Sequence, residues 1–113
     1  MNFYDNLNAK NVFHFFEEIS KIPRGSFNEK GISNYLVNFA KERNLECYHD
    51  DIYNVIIKKN ATEGLGDAPT IILQGHTDMV CEKNSGTEHD FLTDPIEIIQ
   101  KDDMLYANGT TLG

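Results

Sequence analysis

The chain has no tryptophan, only three prolines and two cysteines, and its ten basic residues are outnumbered by eighteen acidic ones. Each shortage excludes something. Two cysteines, Cys47 and Cys81, cannot build a disulfide framework. A single bridge between them is conceivable, but free thiols in a reducing cytoplasm are the simpler expectation. A formal charge of −8 argues against nucleic acid and anionic membrane surfaces, both of which call for basic patches. No apolar run approaches the roughly 20 residues that span a bilayer. The first ten residues, MNFYDNLNAK, lack the basic and then apolar pattern of a secretion signal. Repeats and low-complexity tracts are missing too. What remains is a globular composition, 40% hydrophobic and 25% charged over 113 residues, enough for one domain or part of one.

The stretch from Pro69 to Cys81 organises the rest. Ile71, Ile72 and Leu73 form an unbroken apolar run closed by Gly75. The run predicts a short strand buried on both faces, as inside an α/β sheet. His76 and Asp78 follow at its C-terminal end, where ligands bind in open α/β sheets. A carboxylate beside an imidazole fixes the histidine tautomer and leaves the other ring nitrogen free for a metal.

Upstream, Asn11 to Ile22 reads as a helix. Val12, Phe13, Phe16 and Ile19 recur at helical spacing, with Phe15 and Ile22 widening the face, and Pro23 stops it. His14 is expected to be structural or solvated. Ser26 and Glu29 have the spacing of a capping box and predict the opening of a second helix. Ile32, Tyr35, Leu36, Phe39 and Ala40 give its apolar stripe, Arg43 suits its negative end, and Asn44 suits a left-handed cap. Leu45–His49 and Asn54–Lys58 predict two strands turning at Asp50-Asp51, and Asn60–Asp67 a surface connection. Glu82–Asp90 reads as a long loop. Ile96–Ile99 and Met104–Ala107 predict a hairpin around Lys101-Asp102-Asp103. The fold class is α/β, two helices followed by sheet strands.

His-x-Asp is weak by itself, and it occurs twice, at His76-Thr77-Asp78 and His49-Asp50-Asp51. The second copy ends a half-polar strand and reads as a solvated acidic corner. The first follows a buried strand and a glycine, a setting that a pocket requires. Metal binding at His76 and a purely structural hydrogen bond to Asp78 both remain open on these grounds. Cys81 reads as a small half-buried thiol near the site, and His89-Asp90 as loop-shaping residues. Glu82 and Glu88 are ligand candidates only as any loop acid is.

Four segments carry a family resemblance: Ile22-Pro23-Arg24 with Ser26 and Glu29, QGHTDMVCEKN at 74–84, HDFLTDPI at 89–96, and NGTTLG at 108–113. GHTDMV resembles the first zinc-ligand motif of the di-zinc peptidases, and the set as a whole resembles the bacterial aminoacyl-histidine (Xaa-His) dipeptidases. That resemblance implies that residues 1–113 form the N-terminal part of a catalytic domain. The rest of that domain, with its general-base glutamate, and a lid or dimerisation domain would lie further on. His76 would ligate one of two zinc ions, and Asp78, on the catalytic side, would orient it. In the family the GTTLG segment runs into the aspartate that bridges the metals, two residues past the position of Gly113. The implied reaction is hydrolysis of dipeptides with C-terminal histidine by a zinc-activated water, in a cytoplasmic enzyme that is a homodimer at full length. The fragment alone is expected to be inactive. A related di-zinc tripeptidase or N-acyl amino acid deacylase, and a non-catalytic α/β binding or assembly module, are the alternatives.

Overall fold

The computed structural model describes residues 2–113. Its elements run α1 (Lys10–Ser20), α2 (Lys30–Glu42), β1 (Glu46–His49), β2 (Val55–Lys58), β3 (Ile98–Lys101) and β4 (Met104–Ala107). This is the α/β order expected, with both sheets two-stranded and antiparallel: β1 pairs with β2 and β3 with β4. The residues divide into two compact units, one made of the segment up to Ile32 with Asp78–Gly113, the other of Ser33–Thr77.

In the first unit, α1 half-buries Phe13, Phe16 and Ile19, but Val12 points to solvent. The buried face is therefore narrower than the sequence predicts. Ser20, fully buried at the end of α1, turns its hydroxyl back onto the Phe16 carbonyl at 2.7 Å. His14 is structural, as expected: its Nδ1 lies 3.2 Å from the hydroxyl of buried Tyr4, which itself donates to Glu17 at 2.8 Å. The HDFLTDPI segment builds a reciprocally capped turn. Asp90 Oδ1 accepts from the Leu92 amide at 2.9 Å, and Asp94 Oδ2 accepts from the Asp90 amide at 2.8 Å. Just beyond, buried Ile96 donates its amide to the Ser20 carbonyl at 2.9 Å. His89-Asp90 thus shapes a loop, with the His89 ring set edge-on to Phe91 at 4.5 Å. The β3–β4 hairpin starts two residues later than predicted and turns at Asp102, whose φ is 53°.

In the second unit the α2 stripe holds, with Ala40 buried and Tyr35, Leu36 and Phe39 half-buried. Asn44 takes the left-handed cap at φ 54°, and Arg43 donates to the Phe39 carbonyl at 3.2 Å, which satisfies an orphan acceptor of the last turn. The β1–β2 turn is organised by one carboxylate. Asp50 accepts from the Asn54 side chain at 2.8 Å, the Asn54 amide at 2.9 Å and the Ile52 amide at 3.1 Å. Asp50, the middle residue of the second His-x-Asp copy, is therefore a turn device, and the triplet is exposed, the solvated corner that its setting implied.

The Asn54 side-chain amide, followed by the Asn54 backbone N–H, holds the Asp50 carboxyl below its ordinary range. A depressed folded-state pKa gives stability that is present above the unfolded aspartate value, about 3.9. It is lost as pH falls through the lower folded-state value. Carbon-13 titration of the Asp50 carboxyl is expected to give a midpoint below that reference. A midpoint at or above it would show that the turn network does not form in solution.

Two expectations fail. The apolar run Ile71-Ile72-Leu73 is not a buried strand: residues 68–77 carry no ladder, and the three side chains are 81%, 85% and 93% exposed. A strand exists only through its neighbours' N–H and C=O groups, and no described strand runs beside this segment. Its apolar side chains are left in water. The second failure is the capping box. α2 begins at Lys30, because the Ser26 hydroxyl is engaged elsewhere and Glu29 accepts instead from the Phe27 amide at 2.7 Å.

An unpaired backbone flanked by three exposed aliphatic side chains is a template for association. The 113-residue chain by itself is expected to self-associate as its concentration rises, and Ile72→Lys is expected to shift it toward monomer. Light scattering behind size exclusion that shows a monomer at every concentration would contradict this.

Candidate metal-ligand site around Asp78

Asp78 opens the segment that returns to the first unit, and that segment is laced into place on both sides. On one side it runs parallel to the Arg24–Ser26 loop, with a bridge between Gly25 and Met79 and the Met79 amide donating to the Arg24 carbonyl at 2.9 Å. Met79 is 4% exposed and anchors the segment by burial. The contact is close enough to demand glycine at 25: a Cβ there would sit 2.5 Å from the Cys81 sulfur. On the other side, residues 80–84 meet the NGTTLG segment. Lys83 bridges Thr110, the Asn84 amide donates to the Gly109 carbonyl at 2.8 Å, and the Thr111 amide donates to the Glu82 carbonyl at 2.9 Å. The Thr111 hydroxyl adds a 2.6 Å bond to the Val80 carbonyl.

The half-buried Asp78 side chain is bonded by one group of the Arg24–Ser26 loop and carries its charge near another. Ser26 Oγ donates to its Oδ2 at 2.5 Å. The Arg24 guanidinium, on a residue only 7% exposed, feels the Asp78 charge. Burial holds the Arg24 pKa below its ordinary value, and the Asp78 carboxylate offsets only part of that. In the sequence Arg24 and Ser26 stand out only as part of a motif and a helix cap, and no local pattern assigns either to the site. The clue available was the Ile-Pro-Arg match itself.

His76 stands in the second unit, one residue before its end, and is exposed. Cys81 is a half-buried free thiol, as expected, and Cys47 is free as well. Glu82 and Glu88 are exposed. Among the described residues, no three His, Cys, Asp or Glu side chains converge to hold a metal. A catalytic zinc needs three protein ligands and a water. The donors present, an exposed imidazole at His76 among them, do not make such a centre by themselves.

No family model matches the chain. The proteins it resembles are dipeptidases. In sequence it is 37% identical over 107 residues to the cytosol non-specific dipeptidase of Escherichia coli strain K12, covering 95% of this chain and 22% of that protein. In structure it matches the crystal structure of aminoacylhistidine dipeptidase from Vibrio alginolyticus. The TM-score is 0.92 and the identity 38%, over 99% of this chain and 23% of the other. The resemblance to the aminoacyl-histidine dipeptidases therefore holds along nearly the whole chain, and with it the α/β fold. The chain spans under a quarter of the length of either relative.

Proposed function

We propose that this chain is the N-terminal part of the catalytic domain of a metallo-dipeptidase, a cytoplasmic hydrolase that cleaves dipeptides with C-terminal histidine. The observation that carries the proposal is the match over 99% of the chain to a solved aminoacylhistidine dipeptidase. His76 serves as a zinc ligand and Asp78 as the carboxylate that orients it and raises its basicity. Two zinc ions, when bound, supply an activated water and a polarised scissile carbonyl. The protein's own task in this region is positional. The lacing on both sides of residues 78–84 holds Asp78 where its orientation is fixed by the Arg24–Ser26 loop. The remaining ligands, the general base and a dimerising domain belong to the rest of the protein, which acts as a homodimer. The 113 residues alone carry no peptidase activity.

The two relatives share dipeptide cleavage and differ in the breadth their names give it. Comparing kcat/KM of the full-length protein for Xaa-His dipeptides, other dipeptides, tripeptides and N-acyl amino acids separates the readings. A preference of about tenfold or more for Xaa-His over the others is the expected result. Equal rates on all dipeptides would leave a non-specific dipeptidase, and selective cleavage of tripeptides or acyl amino acids would overturn the assignment.

A further inference from the structure

Three local costs fall on one short loop. Ser26 is placed to cap α2, yet its hydroxyl is bonded to Asp78 and the helix starts only at Lys30. Phe27 follows with φ 70° and its ring fully in solvent, a conformation uncommon for an aromatic residue and one that gains no packing here. Arg24 carries its charge into a site where it is 7% exposed, and taking a guanidinium out of water is costly unless an opposite charge faces it. Gly25, between them, leaves no room for a side chain against Cys81. Local preferences broken together are expected where a site has been built. Two of them, at Ser26 and Arg24, involve Asp78.

We infer that Arg24 and Ser26 are positioning residues that fix the orientation of the Asp78 carboxylate for the role proposed for it above. The inference rests on the reading of His76 and Asp78 given above. Ser26 sets the rotation of the carboxylate by occupying Oδ2. Arg24 supplies the buried opposing charge. The Met79–Arg24 backbone bond keeps the loop and the Asp78 segment in register, so that a hydroxyl on one reaches a carboxylate on the other.

The test is zinc affinity of the full-length protein, measured by competition with a chromophoric chelator, alongside kcat and KM for β-alanyl-histidine and the thermal midpoint. Ser26 is exposed, so Ser26→Ala is expected to fold. It should lower zinc affinity about tenfold, at the low end of what outer partners of a metal ligand contribute. kcat should fall with it, while KM stays within about twofold. Ser26→Thr, which keeps the hydroxyl, should restore most of the affinity. Arg24→Met should act in the same direction and Arg24→Lys less. In an Asp78→Asn background, Ser26→Ala should have no further effect on zinc affinity, because both changes break one linkage. A structural tie between two loops would instead lower the thermal midpoint, leave zinc affinity unchanged in the single variants, and overturn the inference while His76→Ala still abolished binding. If His76→Ala left zinc affinity intact, the functional reading itself would fall and this inference with it.

Discussion

His76→Ala in the full-length protein is expected to lower zinc affinity by roughly 100-fold or more, exceeding the 10–100-fold typical of outer partners. Dipeptide hydrolysis should fall at least as far. The argument is one of donor count. A catalytic zinc is held by three protein ligands, and removing one leaves too few to outcompete water. Asp78→Asn should cost less, about 10–100-fold, since the imidazole remains while its orientation and basicity are lost. His49→Ala supplies the control. It removes the imidazole of the other His-x-Asp triplet, whose Asp50 is committed to the β1–β2 turn, and it should leave zinc affinity unchanged. Equal effects at 49 and 76, or none at 76, would contradict the assignment. Competition with a chelator and steady-state kinetics read both.

Gly109→Ala is expected to destabilise the protein by about 2–5 kcal/mol, a large part of an ordinary folding free energy of about 5–15 kcal/mol. Two effects add. The residue sits at φ +77°, a left-handed conformation that costs an L-residue about 1–2 kcal/mol. A Cβ at 109 would also lie 2.5 Å from Thr87 Oγ1 and 3.1 Å from Thr87 Cγ2, so rotating the threonine exchanges one clash for another. Overpacking of that kind costs about 1–3 kcal/mol. Gly86→Ala separates the two effects, because Gly86 has φ +82° with nothing within 4 Å of a built Cβ. It should cost only about 1–2 kcal/mol. Because the Gly109 carbonyl accepts from Asn84, displacement at 109 is passed to the 80–84 segment and so toward Asp78. Urea unfolding of both variants measures the difference; equal losses would mean that the Thr87 contact yields without cost.

What was legible in the sequence was whatever depends on neighbours along the chain. The α2 stripe, the Asn44 cap, the turn at Asp50 and both hairpins are set by spacings of a few residues, and they formed close to where the patterns place them. What failed depends on partners far away. Ile71-Ile72-Leu73 has the composition of an interior strand, but composition does not supply a ladder, and among the described residues the segment has none. Ser26 has the spacing of a helix cap, but a carboxylate 52 residues downstream takes its hydroxyl. No local rule could have anticipated that bond. The candidate site divides the same way. His76 and Asp78 are marked by a local motif, whereas Ser26 reaches Asp78 only through the fold.

The most direct test of the central claim is the zinc content of the full-length protein, purified without added metal and assayed for β-alanyl-histidine cleavage before and after chelation. The account predicts about two zinc ions per chain, loss of cleavage on chelation, and its return on adding zinc. A protein that holds no metal, or cleaves equally well after its metal is stripped, would contradict it and leave the fold to be explained by binding or assembly.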